Sequence, residues 1–583
     1  MTSTSPAAGG RPLGPPSTGT RRRTPRIRGA ASSTAALLLL TVLVGVPLVL
    51  VVLRALLGHR DQPGALGALV EPGNVTVITN TLVLGAMVVV AATLYAAPLA
   101  FLMSRTGLRR HRWIDVAVLI PFLTPPYISA MAWMEFTRPA GLAETWFGPF
   151  GVLLQQVFAT PVGMAVVMGA EAFPLLYLIL RNALDRVGAN TDEAAAVHGA
   201  TPVTWLRRVL IPMVAASYSL GALLVFVRAA GEFGTPVTLG NQIGFPVLVS
   251  QIHRDLTQAP LDFPRAAALS SVLLGLGITA WGLQQWFLAR RGDRVTSVRS
   301  HREGRVRVGR AGLCAGWLWV GTVLTVTAVL PCFVLVSGSL VSLRSGGLAL
   351  DNLTLDHYRE VLTLGRGGME ALSTSAWLAV VTATLTTAAG TALALHTVRR
   401  RTRTARAVGF LALAPDMVPT IVLALGFIFL WNAAWLPATP YNTMGMLVLG
   451  YCVIFLPLVV QNVSAARLQI NDRLIEAAEV AGASSWDVTR RILMPLLFPG
   501  IVAGWLLAFS IGVRELVLSS LLRPPATQLL STWILSEFDQ GNRAAAMAMT
   551  VIAVFTSTAA RVAVDSWRSR RQRHVSGSTR PTG

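Results

Sequence analysis

The 583-residue sequence contains no lysine: all 49 of its basic residues are arginines. A phosphate-binding loop of the form G-x-x-x-x-G-K-[ST] needs its lysine on the nucleotide phosphates. The chain cannot carry that loop, so it is not expected to hydrolyse ATP, act as an enzyme or bind a cofactor by itself. Charge of either sign is scarce. Charged residues make up 13% of the chain, against roughly a quarter in soluble proteins, which excludes an ordinary soluble domain. Cysteine is nearly absent as well. Cys314, Cys332 and Cys452 are scattered through apolar runs and offer neither metal-ligand spacing nor a disulfide framework. The eight histidines are equally dispersed. Only His198 stands near a motif, and it reads as a surface residue. No metal site is expected.

What the chain has in abundance is apolar sequence, 53% of all residues. A membrane span needs about 20 mostly apolar residues. Runs of that kind fall at about 33–57, 78–103, 113–135, 157–181, 210–230 and 266–288, and again at 311–338, 373–397, 408–432, 443–463, 496–521 and 543–563. The expected fold is an all-α polytopic membrane protein with about twelve transmembrane helices. The first run is too long for a signal peptide, and no A-x-A cleavage site follows it. It reads as an uncleaved anchor helix.

The net charge of +22 belongs to short arginine clusters between the apolar runs. That is the pattern of cytoplasmic loops, not of a nucleic-acid-binding surface. The clusters are Arg11–Arg28, Arg105–Arg112, Arg290–Arg310, Arg399–Arg406 and Arg561–Arg580. With twelve spans all five fall on one side, and both termini are cytoplasmic. The organisation is then a basic tail at 1–32, a first half at 33–289, an Arg-rich cytoplasmic linker at 290–310, a second half at 311–567 and a basic tail at 568–583. Both tails have the composition of disordered segments.

The two halves are copies. Glu193-Ala194-Ala195 recurs as Glu476-Ala477-Ala478, an offset of 283 residues. In that register Gly199 matches Gly482, Arg207-Arg208 matches Arg490-Arg491, and Pro212, Gly221 and Glu232 match Pro495, Gly504 and Glu515. Upstream, an offset of 294 aligns Pro121 with Pro415 and Pro125 with Pro419. The loop between these blocks is therefore longer in the first half by the 11-residue difference of the offsets. Composition alone matches Leu with Ala; it does not match Glu, Gly, paired Arg and Pro in fixed register. Two like halves in parallel imply a pseudo-twofold axis along the membrane normal, with a pathway between them.

The repeated segment joins the fourth span of each half to the fifth, on the cytoplasmic side. It reads as a helix–turn–helix. Asn190 with Glu193 fits a capping box, Gly199 fits a left-handed helix end, and Thr201 caps a second helix with Pro202 at its first position. In the second copy Asn471 opens, Gly482 closes, and Ser484 with Asp487 forms the next box. A single such segment would be a well-capped connector; two matched copies before each half's fifth span argue for a shape with a job.

The pattern E-A-A, three residues, G, nine residues, I, one residue, L-P resembles the coupling loop of binding-protein-dependent ABC importer permeases. The first copy supplies Glu193, Ala194, Ala195, Gly199, Val209, Ile211 and Pro212. The second supplies Glu476, Ala477, Ala478, Gly482, Ile492, Met494 and Pro495. Val209, Ile211 and Met494 are conservative departures. The resemblance covers both six-span halves, with cores at about 76–290 and 369–565. It implies that each loop docks in a cleft of an ATP-binding cassette ATPase, so that ATP is bound by two partner subunits. It also implies an extracytoplasmic solute-binding protein and a place in the bacterial cytoplasmic membrane.

Gly231-Glu232-Phe233-Gly234-Thr235-Pro236 and Pro121-Phe122-Leu123-Thr124-Pro125-Pro126-Tyr127, with the fused two-half layout, are similar to ferric-iron permeases. Thiamine permeases share the fusion, and polyamine and phosphonate permeases share much of the sequence style. Three acids stand out as candidate pathway residues. Glu232 and Glu515 end the fifth span of each half. They either meet a cation or are interface residues satisfied by Arg228 and Arg514, and the second reading is preferred. Glu171, inside the fourth span, is costly in lipid and should face the protein interior. A twelve-span secondary transporter is the alternative class. It would suit parallel halves but would not need two E-A-A loops.

Overall fold

In hydrocarbon a backbone N–H or C=O finds no water, so a spanning chain must satisfy these groups within itself. Apolar runs of this length therefore become helices. A computed structural model of the chain describes residues 34–58, 64–291, 309–343, 346–363, 365, 367–398 and 402–556. An isolated β-bridge joins Val341 to Leu353, and no extended strand occurs among the described residues. The terminal tails, linker residues 292–308, and Arg399, Arg400 and Arg401 lie outside the described residues.

Nine helices among the described residues are long and apolar enough to cross a membrane, and two bent pairs raise the count to eleven. In the first half they are Thr34–Leu57, Pro72–Arg105, the bent pair Trp113–Phe122 and Pro126–Phe136, Pro161–Arg186, Pro202–Ala230 and Phe263–Ala289. In the second half they are Arg310–Leu340, Gly368–Thr397, the bent pair Arg403–Met417 and Thr420–Trp431, Met444–Gln469 and Ser485–Gly512. The twelfth run is helical over Arg543–Thr556; its residues 557–563 lie outside the described residues.

Three expected spans are corrected. The third and ninth are not straight helices: they bend by 90° and 114°. The cause is proline chemistry at matched places. Thr124 and Pro125 have ψ of 131° and 137°, and Val418 and Pro419 have 131° and 134°. A proline ring disfavours helical backbone in the residue before it, and it carries no N–H to continue the ladder. The eleventh span does not run to 521. It stops at Gly512, and a separate short helix, Val517–Leu522, follows. At the other end, both fifth-position spans begin in the loop, at Pro202 and Ser485, and run without interruption into the membrane. Pro212 and Pro495 lie just past wide π turns at Leu206–Leu210 and Val488–Leu493. A π turn leaves room for a residue that lacks a donor.

The repeat is visible in packing. A Cβ on Gly221 would sit 2.7 Å from Leu176 Cδ1, and one on Gly504 would sit 3.1 Å from Val459 Cα. Both contacts join the fourth and fifth spans of a half, at pairs of positions 283 apart. Small residues are what allow membrane helices to approach so closely. Pro174 and Pro457, again 283 apart, lie inside the two continuous fourth-position helices. Past the fifth spans, Thr81 Oγ1 accepts the Leu248 N–H at 2.8 Å and Ser375 Oγ accepts the Leu530 N–H at 2.8 Å. The second span of each half thus caps its own short helix, Leu248–Thr257 or Leu530–Asp539. The extra loop length of the first half is the helical pair Leu142–Phe147 and Pro149–Phe158.

The first span of each half packs on the other half. Thr34–Leu57 lies along Thr420–Trp431, where a Cβ on Gly426 would meet the Pro47 carbonyl oxygen at 2.6 Å. Arg310–Leu340 lies along Pro126–Phe136, and Phe333 reaches Trp146 with ring centroids 5.4 Å apart. The fused halves are clasped by an exchange of their first helices.

Candidate functional site: paired helical loops and a capped midsection

The first loop helix, Ala189–Val197, begins one residue before Asn190. Asn190 therefore lies in its first turn, and its side chain is outside the described residues. The second, Arg473–Val480, is preceded by Asp472. Asn471 still helps to open it, since its Oδ1 accepts the Arg473 N–H at 3.1 Å. Both helices close as expected. Gly199 has φ +71° and Gly482 has φ +86°, the left-handed conformation that costs glycine least. The Ala200 N–H reaches the Ala195 carbonyl and the Ala483 N–H reaches the Ala478 carbonyl, at 3.0 and 2.9 Å. These are the six-to-one bonds of a Schellman motif. Thr201 Oγ1 then accepts from the Thr204 N–H, and Ser484 Oγ from the Asp487 N–H. The Ser484 hydroxyl also donates to Asp487 and holds that carboxyl below its ordinary range.

Each loop helix is pinned beneath and open above. In the first half Arg105, at the end of the second span, is fully buried under the loop. Its guanidinium meets Asp192 at 2.7 Å and the carbonyls of Leu184 and Val187 at 3.0 and 2.8 Å. Trp205 Nε1 donates to the other oxygen of Asp192 at 3.0 Å. In the second half Arg467 meets Asp472 at 2.9 Å, and Ile475 and Ala478 pack against the cluster of Val459, Val463, Ile470 and Val488. Two unrelated sets of contacts hold the same shape.

On the outer side Glu193, Ala194, Glu476 and Ala477 are exposed, as are Pro212 and Pro495. Ala195 and Ala478 are half-buried. His198 is exposed, with Nδ1 2.8 Å from the Ala194 carbonyl. Motif reading missed four apolar side chains beside these residues. Val197 is 85% and Val480 90% exposed, and Val203 and Trp486 are 59% and 69% exposed. Both pairs are 283 residues apart, so the repeat offset itself was the signal. Exposed apolar residues at one place on both copies mark an interaction surface.

The candidate acids divide. Glu232 Oε1 accepts the Gly234 N–H at 2.6 Å, and Oε2 accepts the Thr235 N–H at 3.1 Å. Glu515 Oε1 accepts from Val517 and Leu518, and Oε2 accepts from Ser519. Both carboxylates cap the helix that follows the fifth span. Backbone donors satisfy both carboxylates, and Arg228 lies over the Phe122 ring at 5.6 Å. This capping is also why the eleventh span ends where it does. Glu171 differs: its Oε1 is buried with no hydrogen-bond partner among the described residues. Its repeat counterpart is Ile454. No group of three or more His, Cys, Asp or Glu side chains suited to a metal ion occurs among the described residues.

Comparison with known proteins agrees with this architecture. Residues 96–292 and 386–574 each match the family described as binding-protein-dependent transport system inner membrane component. The chain is 23% identical to an Fe(3+)-transport system permease protein of Haemophilus influenzae over 89% of this chain and 96% of that protein. It is 23% identical to a ferric transport system permease protein of Actinobacillus pleuropneumoniae, over 81% of this chain and 68% of that protein. A sulfate transport system permease protein of Escherichia coli is 24% identical over 35% of this chain and 75% of its own length. With the family's domain present twice, an E-A-A loop in each copy and a multi-pass helical fold, the chain belongs to the binding-protein-dependent ABC importer permeases, in their fused two-half form.

Proposed function

We propose that this chain forms the membrane pathway of a ferric-iron importer in the bacterial cytoplasmic membrane. Two ATPase subunits dock at its loops, and an extracytoplasmic solute-binding protein supplies the iron. The observation that carries the coupling part is the pair of loops. Two differently anchored segments present the same left-handed glycine, the same exposed E-A-A face and the same exposed apolar pair. A gradient-driven transporter has no use for that duplication. The iron part rests on relatives described as ferric permeases that align along most of this chain. A sulfate permease aligns with about a third of this chain, 35%, so the ferric permeases are the relatives that share the fused layout. On this reading Glu232 and Glu515 shape the pathway as helix caps, and Glu171 is the one candidate that could face a passing cation.

The test is uptake by proteoliposomes containing this chain and its partner ATPase, supplied with the partner solute-binding protein. Radiolabelled ferric iron should accumulate only with internal ATP and loaded binding protein. Accumulation of sulfate, thiamine or polyamine in place of iron would overturn the substrate assignment. Iron uptake that ignores ATP and follows an imposed ion gradient would overturn the class.

A further inference from the structure

At the end of the molecule opposite the coupling loops, the halves meet through two contacts at repeat-equivalent places. Glu135 lies at the end of Pro126–Phe136, in the first half, and is buried. Its Oε1 is 2.7 Å from Arg138 Nε, and its Oε2 is 3.4 Å from Arg543 of the second half. Arg543 opens the last helix of that half, and its guanidinium also lies 4.8 Å from the Phe538 ring centre. In the 294 register Glu135 corresponds to Phe429, near the end of the equivalent helix Thr420–Trp431. The Phe429 ring lies 6.3 Å from that of Phe263, the residue that opens the last helix of the first half. The same two elements therefore meet twice across the seam, once through an ion pair and once through an aromatic pair.

The geometry points to a reversible latch on the outer seam, with Glu135–Arg543 as the contact that holds it shut. An ion pair suits a contact that must open into water, because both charges are hydrated once apart. Each partner here also has a second contact to keep: Glu135 stays paired with Arg138, and Arg543 stays over Phe538. Opening thus leaves no bare buried charge. Separating the aromatic pair instead exposes apolar ring surface to water. The two sides of the seam are unequal, and the ionic side is the one that releases first.

The inference rests on the coupling reading of the loops, because its readout is ATP hydrolysis. If ATPase closure at the loops opens the far seam, weakening the latch shifts the resting complex toward that open form. The variant is Arg543→Gln, which leaves Glu135 paired with Arg138 and so spares the fold. In the reconstituted complex without binding protein, its ATP hydrolysis should rise about fivefold, equivalent to about 1 kcal/mol lost from the closed form. Arg543→Lys should return the rate to within about twofold of wild type, because a cation is restored. An unchanged or lower rate in Arg543→Gln, or failure of that variant to assemble with the ATPase, would overturn the latch. A wild-type complex that shows no hydrolysis stimulated by binding protein overturns the coupling reading beneath it.

Discussion

Replacing the two left-handed loop glycines separates backbone shape from surface chemistry. A Cβ built on Gly199 or Gly482 meets nothing within 4 Å. Any substitution is therefore free of clashes within the chain, and its cost is conformational. For alanine at positive φ that cost is about 1–2 kcal/mol; for asparagine it is smaller, because asparagine is the usual second choice at such helix ends. An exposed loop carrying about 1 kcal/mol of strain keeps its docking shape less often, by about fivefold, while the helices in the bilayer are untouched. Three substitutions at each site then form a series. Gly→Asn should retain nearly normal ATPase co-purification and iron uptake. Gly→Ala should lower both about fivefold. Gly→Asp, with tolerable backbone but a new charge on the docking face, should lower both by more than about tenfold. Protein level in membranes should be unchanged throughout. Normal uptake in every variant would reduce the loops to well-capped connectors. Equal loss in the Asn and Asp variants would refute the division between backbone and charge.

The anchors and caps make their own predictions. Arg105→Ala removes the guanidinium from Asp192 and from the Leu184 and Val187 carbonyls, leaving Trp205 on Asp192 and the Val187 N–H on Leu184; the loss of these charge-assisted bonds, about 1–3 kcal/mol, should lower the detergent melting temperature, and an unchanged melting temperature would contradict the anchoring role. Glu232→Ala and Glu515→Ala should each cost about 1 kcal/mol as lost caps, with a similar drop in melting temperature for both. Iron uptake by the glutamine versions should follow protein level, and selective loss of uptake in a fully folded variant would make either residue part of the pathway. Asp255, on the short helix after the fifth span, has its carboxyl raised to about 6, mainly by burial, with Arg265 opposing. An acid raised on folding contributes stability below its ordinary range that is lost as pH rises through about 6. Asp255→Asn should therefore match wild type in melting temperature at pH 4 and exceed it at pH 7; the reverse order would contradict the sign.

The sequence carried the helical class, the repeat and the loop geometry because each leaves a local mark. Apolar length marks a span, and capping residues mark a helix end. Gly199 and Gly482 were readable from their neighbours alone. What escaped was set by contacts between distant segments or by continuity wrongly assumed. Pro125 and Pro419 were aligned as a match, yet apolar composition on both sides concealed the bend between two helices. The capping role of Glu515 was not readable, because nothing local shows that the chain turns back and offers three N–H groups. The exchange of first spans leaves no compositional trace, since a lipid-facing helix and one clasping another half are equally apolar. The seam contact between Glu135 and Arg543 joins residues 408 apart and has no motif.

The central claim is that both loops are docking points for an ATPase, and site-specific photo-crosslinking tests it most directly. A crosslinker placed at Val197 or Val480, 85% and 90% exposed, should capture the partner ATPase from intact membranes in comparable yield. One placed at Leu350, 89% exposed and expected on the opposite face, should capture none. Capture from both loops and not from Leu350 is the predicted result. Absence of an ATPase adduct at both loops, in membranes that support ATP-driven uptake, would contradict the account.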